Sequence, residues 1–131
     1  MMRKIFFGLI MTLIFGGALA ANAQTAQQIS VRVNKQVKAS RSRLTVRFVA
    51  VEDSRCPKGT ECIWAGNAKV TIKVTDSKGK SQTFDLNTNL EPKSARFGGY
   101  EITLGEVTPY PAANVRIDPN GYRAKFTITR L

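Results

Sequence analysis

Both cysteines of the chain and its only tryptophan fall in one stretch, Asp53–Gly66, DSRCPKGTECIWAG. Thiols this close could ligate a metal, act as nucleophiles, shuttle electrons or close a bridge. The rest of the composition removes most of these roles. There is no histidine, and all three methionines, Met1, Met2 and Met11, sit at the amino terminus. Zinc, copper and haem sites of the usual kinds draw on His, Met and free Cys, so they are excluded and no cofactor or metal is expected. Ser-His-Asp and Cys-His nucleophile arrangements fall with the missing imidazole. Asp53 and Glu61 have no second acid at a spacing that marks acid–base catalysis. A calcium loop needs several oxygen ligands at short intervals, and here Arg55 and Lys58 oppose a cation. No catalytic residue is selected, and an enzyme is the least favoured class.

The amino terminus argues for the bridge. MMRK is a positively charged start, IFFGLIMTLIFGGALA is an apolar run, and ANA at 21–23 offers small residues where a signal peptidase reads. This is the pattern of a secretory signal peptide over 1–23, cleaved after Ala23. The competing reading is an uncleaved anchor, which wants roughly 20 apolar residues. Export, to the periplasm or out of the cell, puts Cys56 and Cys62 where disulfides persist. A bridge across so short a loop is worth roughly 2–2.5 kcal/mol and acts locally, on PKGTE. Trp64 is expected to pack over the sulfurs as in immunoglobulin domains, with a ligand-stacking role as the alternative. Asp53 and Arg55 are expected to lace the loop entrance. Asp53 accepts backbone N–H bonds there, and Arg55 pairs with Asp53, Glu52 or Glu61.

The elements that must hold this loop read as strands. Ile29, Val31 and Val33 alternate with polar residues. So do Leu44, Val46, Phe48 and Ala50; Ala68, Val70, Ile72 and Val74; Tyr100, Ile102 and Leu104; and Tyr122, Ala124, Phe126 and Ile128. Period two with β-branched enrichment is the signature of half-buried strands. QTFDL at 82–86 is a shorter candidate. DSKGK, FGGY and DPNGY supply glycine or proline at strand ends, and PYPAAN at 109–114 is a proline-broken connection. QTAQQ at 24–28 reads as a mobile leader. Residues 24–131 therefore form one domain, all-β. The expected fold is an antiparallel β-sandwich, immunoglobulin-like or related, with six to seven strands and one disulfide. Asp118 and Tyr122, just before the last strand, look like a tyrosine corner, in which the hydroxyl bonds back to nearby backbone.

The stretch around the cysteines also resembles a motif of small, secreted, uncharacterised bacterial β-domain proteins: Asp-Ser-Arg-Cys-Pro, four residues, then Cys-x-Trp-Ala-Gly. Here the matching residues are Asp53, Ser54, Arg55, Cys56, Pro57, Cys62, Trp64, Ala65 and Gly66. The resemblance implies an exported β domain with a disulfide loop. It carries no catalytic or ligand residue with it.

Charge bounds the partners. The chain carries 20 Lys and Arg against 9 Asp and Glu, a net +11; without Arg3 and Lys4 the mature domain keeps +9. Such a domain is drawn to anionic polymers or lipid surfaces. Arg47, Lys69, Lys73, Arg123 and Lys125 all fall on outward positions, and would form a basic stripe if their strands were neighbours in one sheet. Sequence-specific nucleic-acid binding is not expected, because the aromatics fall mostly on inward positions and no stacking platform is visible. Three functions follow. The first is a non-enzymatic exported domain acting by protein or envelope contact, not membrane-spanning once the signal is removed. The second is a polyanion-binding module. The third is a proteinase inhibitor presenting Arg55 or Lys58 on the braced loop.

Overall fold

The computed structural model describes Gly16, Gly17 and residues 26–131. Those two glycines apart, the expected signal peptide and its cleavage point lie outside the described residues. The strands are β1 (Gln27–Arg32), β2 (Gln36–Ala39), β3 (Leu44–Asp53), β4 (Ala68–Thr75), β5 (Ser81–Asn87), β6 (Ser94–Phe97), β7 (Tyr100–Thr108) and β8 (Arg123–Arg130). They form two antiparallel sheets of four, ordered β1-β8-β7-β6 and β2-β3-β4-β5. The fold is an all-β sandwich, as the alternation implies. No helix among the described residues is long and apolar enough to cross a membrane.

Strands consecutive in the chain pair with one another except β1 with β2 and β5 with β6, which lie in different sheets. Three hairpin ladders build the second sheet, and β6, β7 and β8 follow one another in the first. The chain crosses between sheets at two corners. At one, the amide of Asn34 donates to the carbonyl of Phe48 (2.8 Å). At the other, the amide of Asn87 donates to the carbonyl of Pro92 (3.0 Å). β8 then pairs with β1 and closes the circuit. This is an up-and-down meander flattened into a sandwich. It lacks the ABED and CFG strand orders of immunoglobulin domains.

The inward rows fill the interior: Val31, Val46, Phe48, Val70, Ile72, Val74, Leu86, Ile102, Phe126 and Ile128 are all buried. Burying such side chains contributes about 1.5–3 kcal/mol each, and this drives the pairing of the sheets. Phe84 and Phe97 meet edge to face with centroids 6.3 Å apart, tying the β5 and β6 edges together. The two-residue β6–β7 turn needs positive φ at both positions, which Gly98 (58°) and Gly99 (81°) supply.

Four details depart from the sequence reading. The described residues hold eight strands, not six or seven, because β2 and β6 have only four residues each and carry too little alternation to register. Gln27 and Gln28 belong to β1 and not to a leader. Ala50 is not on the inner row. A bulge between Phe48 and Ala50 turns it outward and sends Val51 inward opposite Val70. Tyr122 makes no tyrosine corner: its hydroxyl reaches a carboxylate on the other sheet.

Candidate functional site at the long-loop end

All the long connections emerge at one end of the sandwich: residues 54–67 after β3, 88–93 after β5 and 109–122 after β7. Short turns close the other end. The geometry of the long-loop end starts from two bulges. Before its bulge, β3 points Leu44, Val46 and Phe48 inward; after it, Val51 and Asp53 take the inner row, with Asp53 opposite Ala68. In β7 the register shifts between Leu104 and Val107, which puts Val107 inward opposite Ala124. Bulges re-aim side chains in this way. A slip of one residue is enough to exchange faces.

Arg55 enters the slot between the bulged strands and is 6% exposed. Its Nε donates to Asp53 Oδ1 (2.8 Å) and one Nη to Oδ2 (2.9 Å), a bidentate pair. The other Nη donates to the Val107 carbonyl (2.7 Å), and the first also donates to that of Pro109 (2.9 Å). The guanidinium lies over the Tyr110 ring, 4.6 Å from its centroid. Tyr122 donates its hydroxyl to Asp53 Oδ2 (2.9 Å). One buried cation thus ties β3 to the β7–β8 connection, and every partner is hydrogen-bonded. That is the condition under which a buried ion pair is tolerated.

The electrostatics follow. Burial works to raise the Asp53 pKa, but hydrogen bonds from the Arg55 side chain and amide and from Tyr122 outweigh it, and the net shift is downward. Burial also acts on Tyr122; with the hydrogen bond to Asp53 and its charge, it pushes the phenol up to about 12. Asp53 is a committed anion and Tyr122 a committed donor. Neither is poised to exchange protons near neutrality.

The two limbs of the loop continue the β3–β4 hairpin. The Ser54 amide donates to the Asn67 carbonyl (2.8 Å), and the Cys56 amide to that of Ala65 (2.9 Å). The Cys56–Cys62 bridge, with Cα atoms 6.0 Å apart, staples the limbs beyond this point. Gly66 (φ 75°) packs so tightly that a Cβ would run into the Ser54 carbonyl oxygen and lie 2.7 Å from the Arg55 Cα. The stapled turn is docked. Lys58 donates its amide to the Pro111 carbonyl (2.9 Å) and accepts from the Ala113 amide (2.8 Å). Its Nζ sits 5.5 Å from the Tyr110 centroid.

These contacts bear on the expectations residue by residue. Arg55 pairs with Asp53, not with Glu52 or Glu61. Being interior, it does not stand at a loop tip. Lys58 has both backbone groups bonded to the β7–β8 connection, through Pro111 and Ala113. Trp64 is not a lid on the bridge: it is 81% exposed, beside Ile63 at 93%. Trp64 and Leu90 flank a shallow apolar hollow floored by Ser54, Ala65, Gly66 and Asn67. Asn89 fixes that floor, its Nδ2 donating to the Gly66 carbonyl (2.6 Å) and its amide accepted by Asn67 Oδ1 (3.0 Å). In the sequence reading Tyr122 is assigned to a tyrosine corner and not to Asp53. Tyr110 and Leu90 have no role there because their connections carry no motif. Only their apolar character in polar loops marks them.

The basic residues do not form one stripe. Arg47 and Lys73 are direct cross-strand partners on the outer face of the second sheet. Lys69 shares that face but pairs with Glu52 (3.2 Å). Arg123 and Lys125 lie on β8, in the other sheet, and Lys125 pairs with Glu106 (3.4 Å).

No protein-family model matches the chain, and comparison with curated proteins and with solved structures gives no match.

Proposed function

We propose that the domain is an exported contact module without chemistry of its own, and that it presents its long-loop end to a protein of the cell envelope. The observation that carries this reading is the exposure of Trp64 and Ile63 on a loop immobilised from three sides: by the disulfide, by Arg55 and by the Lys58 backbone bonds. A large aromatic held out in water on a rigid support is the usual anchor of an interface. Rigidity lowers the entropy lost on binding. The hollow beside Trp64 has its amide groups turned to internal bonds, so it suits an apolar side chain of the partner. Export is supported by the amino-terminal pattern and is compatible with the disulfide. The likeness to small secreted bacterial β domains points the same way.

The test is cross-linking and pull-down from the envelope fraction with wild type and Trp64→Ala. One protein retained by wild type and lost by the variant, at unchanged stability, supports the reading. No specific protein retained, or equal retention by both, sinks it.

A polyanion-binding reading rests on Arg47 and Lys73. Like charges directly across a ladder repel, and no acid lies in salt-bridge range of either among the described residues. An anionic polymer would relieve that repulsion. Heparin retention that is unchanged in Arg47→Gln with Lys73→Gln counts against it.

A further inference from the structure

The short-turn end of the sandwich carries a second site, of different chemistry. Along β8 the inward row runs through Ala124, Phe126 and Ile128, all buried, and Arg130 continues that row. Its ladder partner is Tyr100, which heads the inward row of β7 and packs against the core. An arginine at the end of a core-facing row lays its methylenes on apolar surface and holds its guanidinium at the mouth. The facing sheet brings the β2–β3 turn to the same mouth. There the Arg41 amide donates to Gln27 Oε1 (3.2 Å), and Ser42 Oγ accepts the Leu44 amide (3.2 Å). Gln27, Arg41, Ser42, Tyr100, Ile128 and Arg130 enclose a hollow of about 70 Å³. A single water needs only about 10–15 Å³ of such space, so a group of several heavy atoms fits.

Gln27 and Ser42 spend their side-chain donors within the chain, on Ser40 Oγ (3.4 Å) and the Ala39 carbonyl (3.5 Å), which leaves the two guanidinium groups and the phenol. Among the described residues no carboxylate, that of the chain end included, forms an ion pair with Arg41 or Arg130. Among the described residues neither guanidinium, nor the Tyr100 hydroxyl, donates to a protein acceptor. Arginine offers donors only, in a planar fork that matches two oxygens of one anion. Lys38, Arg43, Lys78 and Lys80 are exposed on the strand and turns at the same end. Two acids stand at this end and are outnumbered: Asp76, whose Oδ1 accepts the amides of Lys78 and Lys80 (2.9 Å each), and Glu101, which accepts Ser94 Oγ (3.0 Å). The local potential is therefore positive, and a walled hollow focuses it.

The geometry points to a binding site for a phosphate-type oxyanion at the mouth between the sheets, with Arg130 and Arg41 as its charged ligands and Tyr100 as a neutral donor. It shares no residue with the long-loop end and stands independently of the function proposed there. The oxyanion could be free or carried on a phospholipid headgroup, and the two sources separate experimentally.

The test uses the folded, disulfide-bonded full-length protein and two probes. These are inorganic phosphate, followed by calorimetry or amide NMR shifts, and vesicles of phosphatidylcholine with and without phosphatidate. Saturable binding of either probe should weaken about tenfold or more in Arg130→Gln and in Arg41→Gln. Arg130→Lys, which keeps the charge and loses the fork, should recover only part of it. Arg123→Gln, on the outer face of the same strand, should bind like wild type. Phosphate binding alone identifies a free ligand, and phosphatidate-dependent vesicle binding alone a headgroup. The proposal is overturned if neither probe shows saturable binding lost in Arg130→Gln, or if Arg123→Gln weakens binding as much. Thermal melts of each variant verify that the sandwich is intact.

Discussion

Tyr122 and Asp53 meet across the sandwich: the phenol, just before β8, donates to Oδ2 of the carboxylate that ends β3, over 2.9 Å. Arg55 holds the same carboxylate from the other side. Removing each member should cost differently. Asp53→Asn leaves a buried guanidinium without its counter-charge, and is expected to destabilise by about 3–5 kcal/mol. Tyr122→Phe deletes one hydrogen bond to a charged acceptor, about 1.5–3 kcal/mol. Adding Arg55→Met to Asp53→Asn should recover only part of the loss: the uncompensated charge is gone, but the Val107 and Pro109 carbonyls lose their donor. Urea unfolding midpoints rank the three. Equal midpoints for Asp53→Asn and Tyr122→Phe would show that the ion pair is not the keystone.

The same network sets a pH window. Asp53 has a lowered folded pKa, so its contribution is present above the ordinary value of 3.8 and is lost as pH falls through the folded value. Tyr122 has a raised one, so its contribution is complete below 10.0 and is lost as pH rises through about 12. Stability should therefore fall off in acid and again in strong alkali. Tyr122→Phe should remove the alkaline loss attached to this phenol, leaving the acid limb in place. Thermal melts across pH, with phenolate absorbance alongside, measure both.

Trp64 should behave as a hydrated indole in the native state. Its fluorescence should be quenched by acrylamide nearly as well folded as unfolded. Trp64→Ala should change stability by less than about 0.5 kcal/mol, as for surface positions away from packed features. A blue-shifted, protected emission would place the ring inside, over the sulfurs.

The staple and the glycine beneath it should separate in magnitude. Replacing Cys56 and Cys62 with serine is expected to cost no more than roughly 2–2.5 kcal/mol, since the loop closed is short. The Lys58 backbone bonds continue to hold the turn. Gly66→Ala meets the Ser54 carbonyl and the Arg55 Cα and also strains a positive φ. It should cost more than about 1 kcal/mol and disturb the Arg55 slot. Denaturant titrations, with and without reductant for the wild type, check both.

Sandwich architecture was legible because the inward rows of five strands alternate cleanly, and the DSKGK and FGGY turns carry the residues their geometry needs. The bridge followed from composition together with the export expected from the amino-terminal pattern. The bulges did not show. A bulge adds one residue to one strand, and the stretch from Phe48 to Asp53 reads equally well in either register. Without that shift Asp53 would face water, so its role as the receptor for Arg55 and Tyr122 was invisible beyond a generic lacing of the loop. Trp64 misled for a related reason: residue type argued for the interior, whereas the staple and Gly66 fix the limbs so that the indole points out. The basic stripe failed on topology alone, because outward position says nothing about which sheet a strand joins.

The circuit of neighbouring strands has a seam. Seven of its eight junctions join segments adjacent in the chain, but β1 meets β8 with Ile29 opposite Phe126, nearly the whole described length apart. Closing that ladder carries the largest loop entropy, so it is the step that the hairpins must precede. Kinetic persistence then rests on the seam. Truncating Ile29 or Val31 is therefore expected to speed unfolding more than it slows folding, as read from the two limbs of a denaturant chevron.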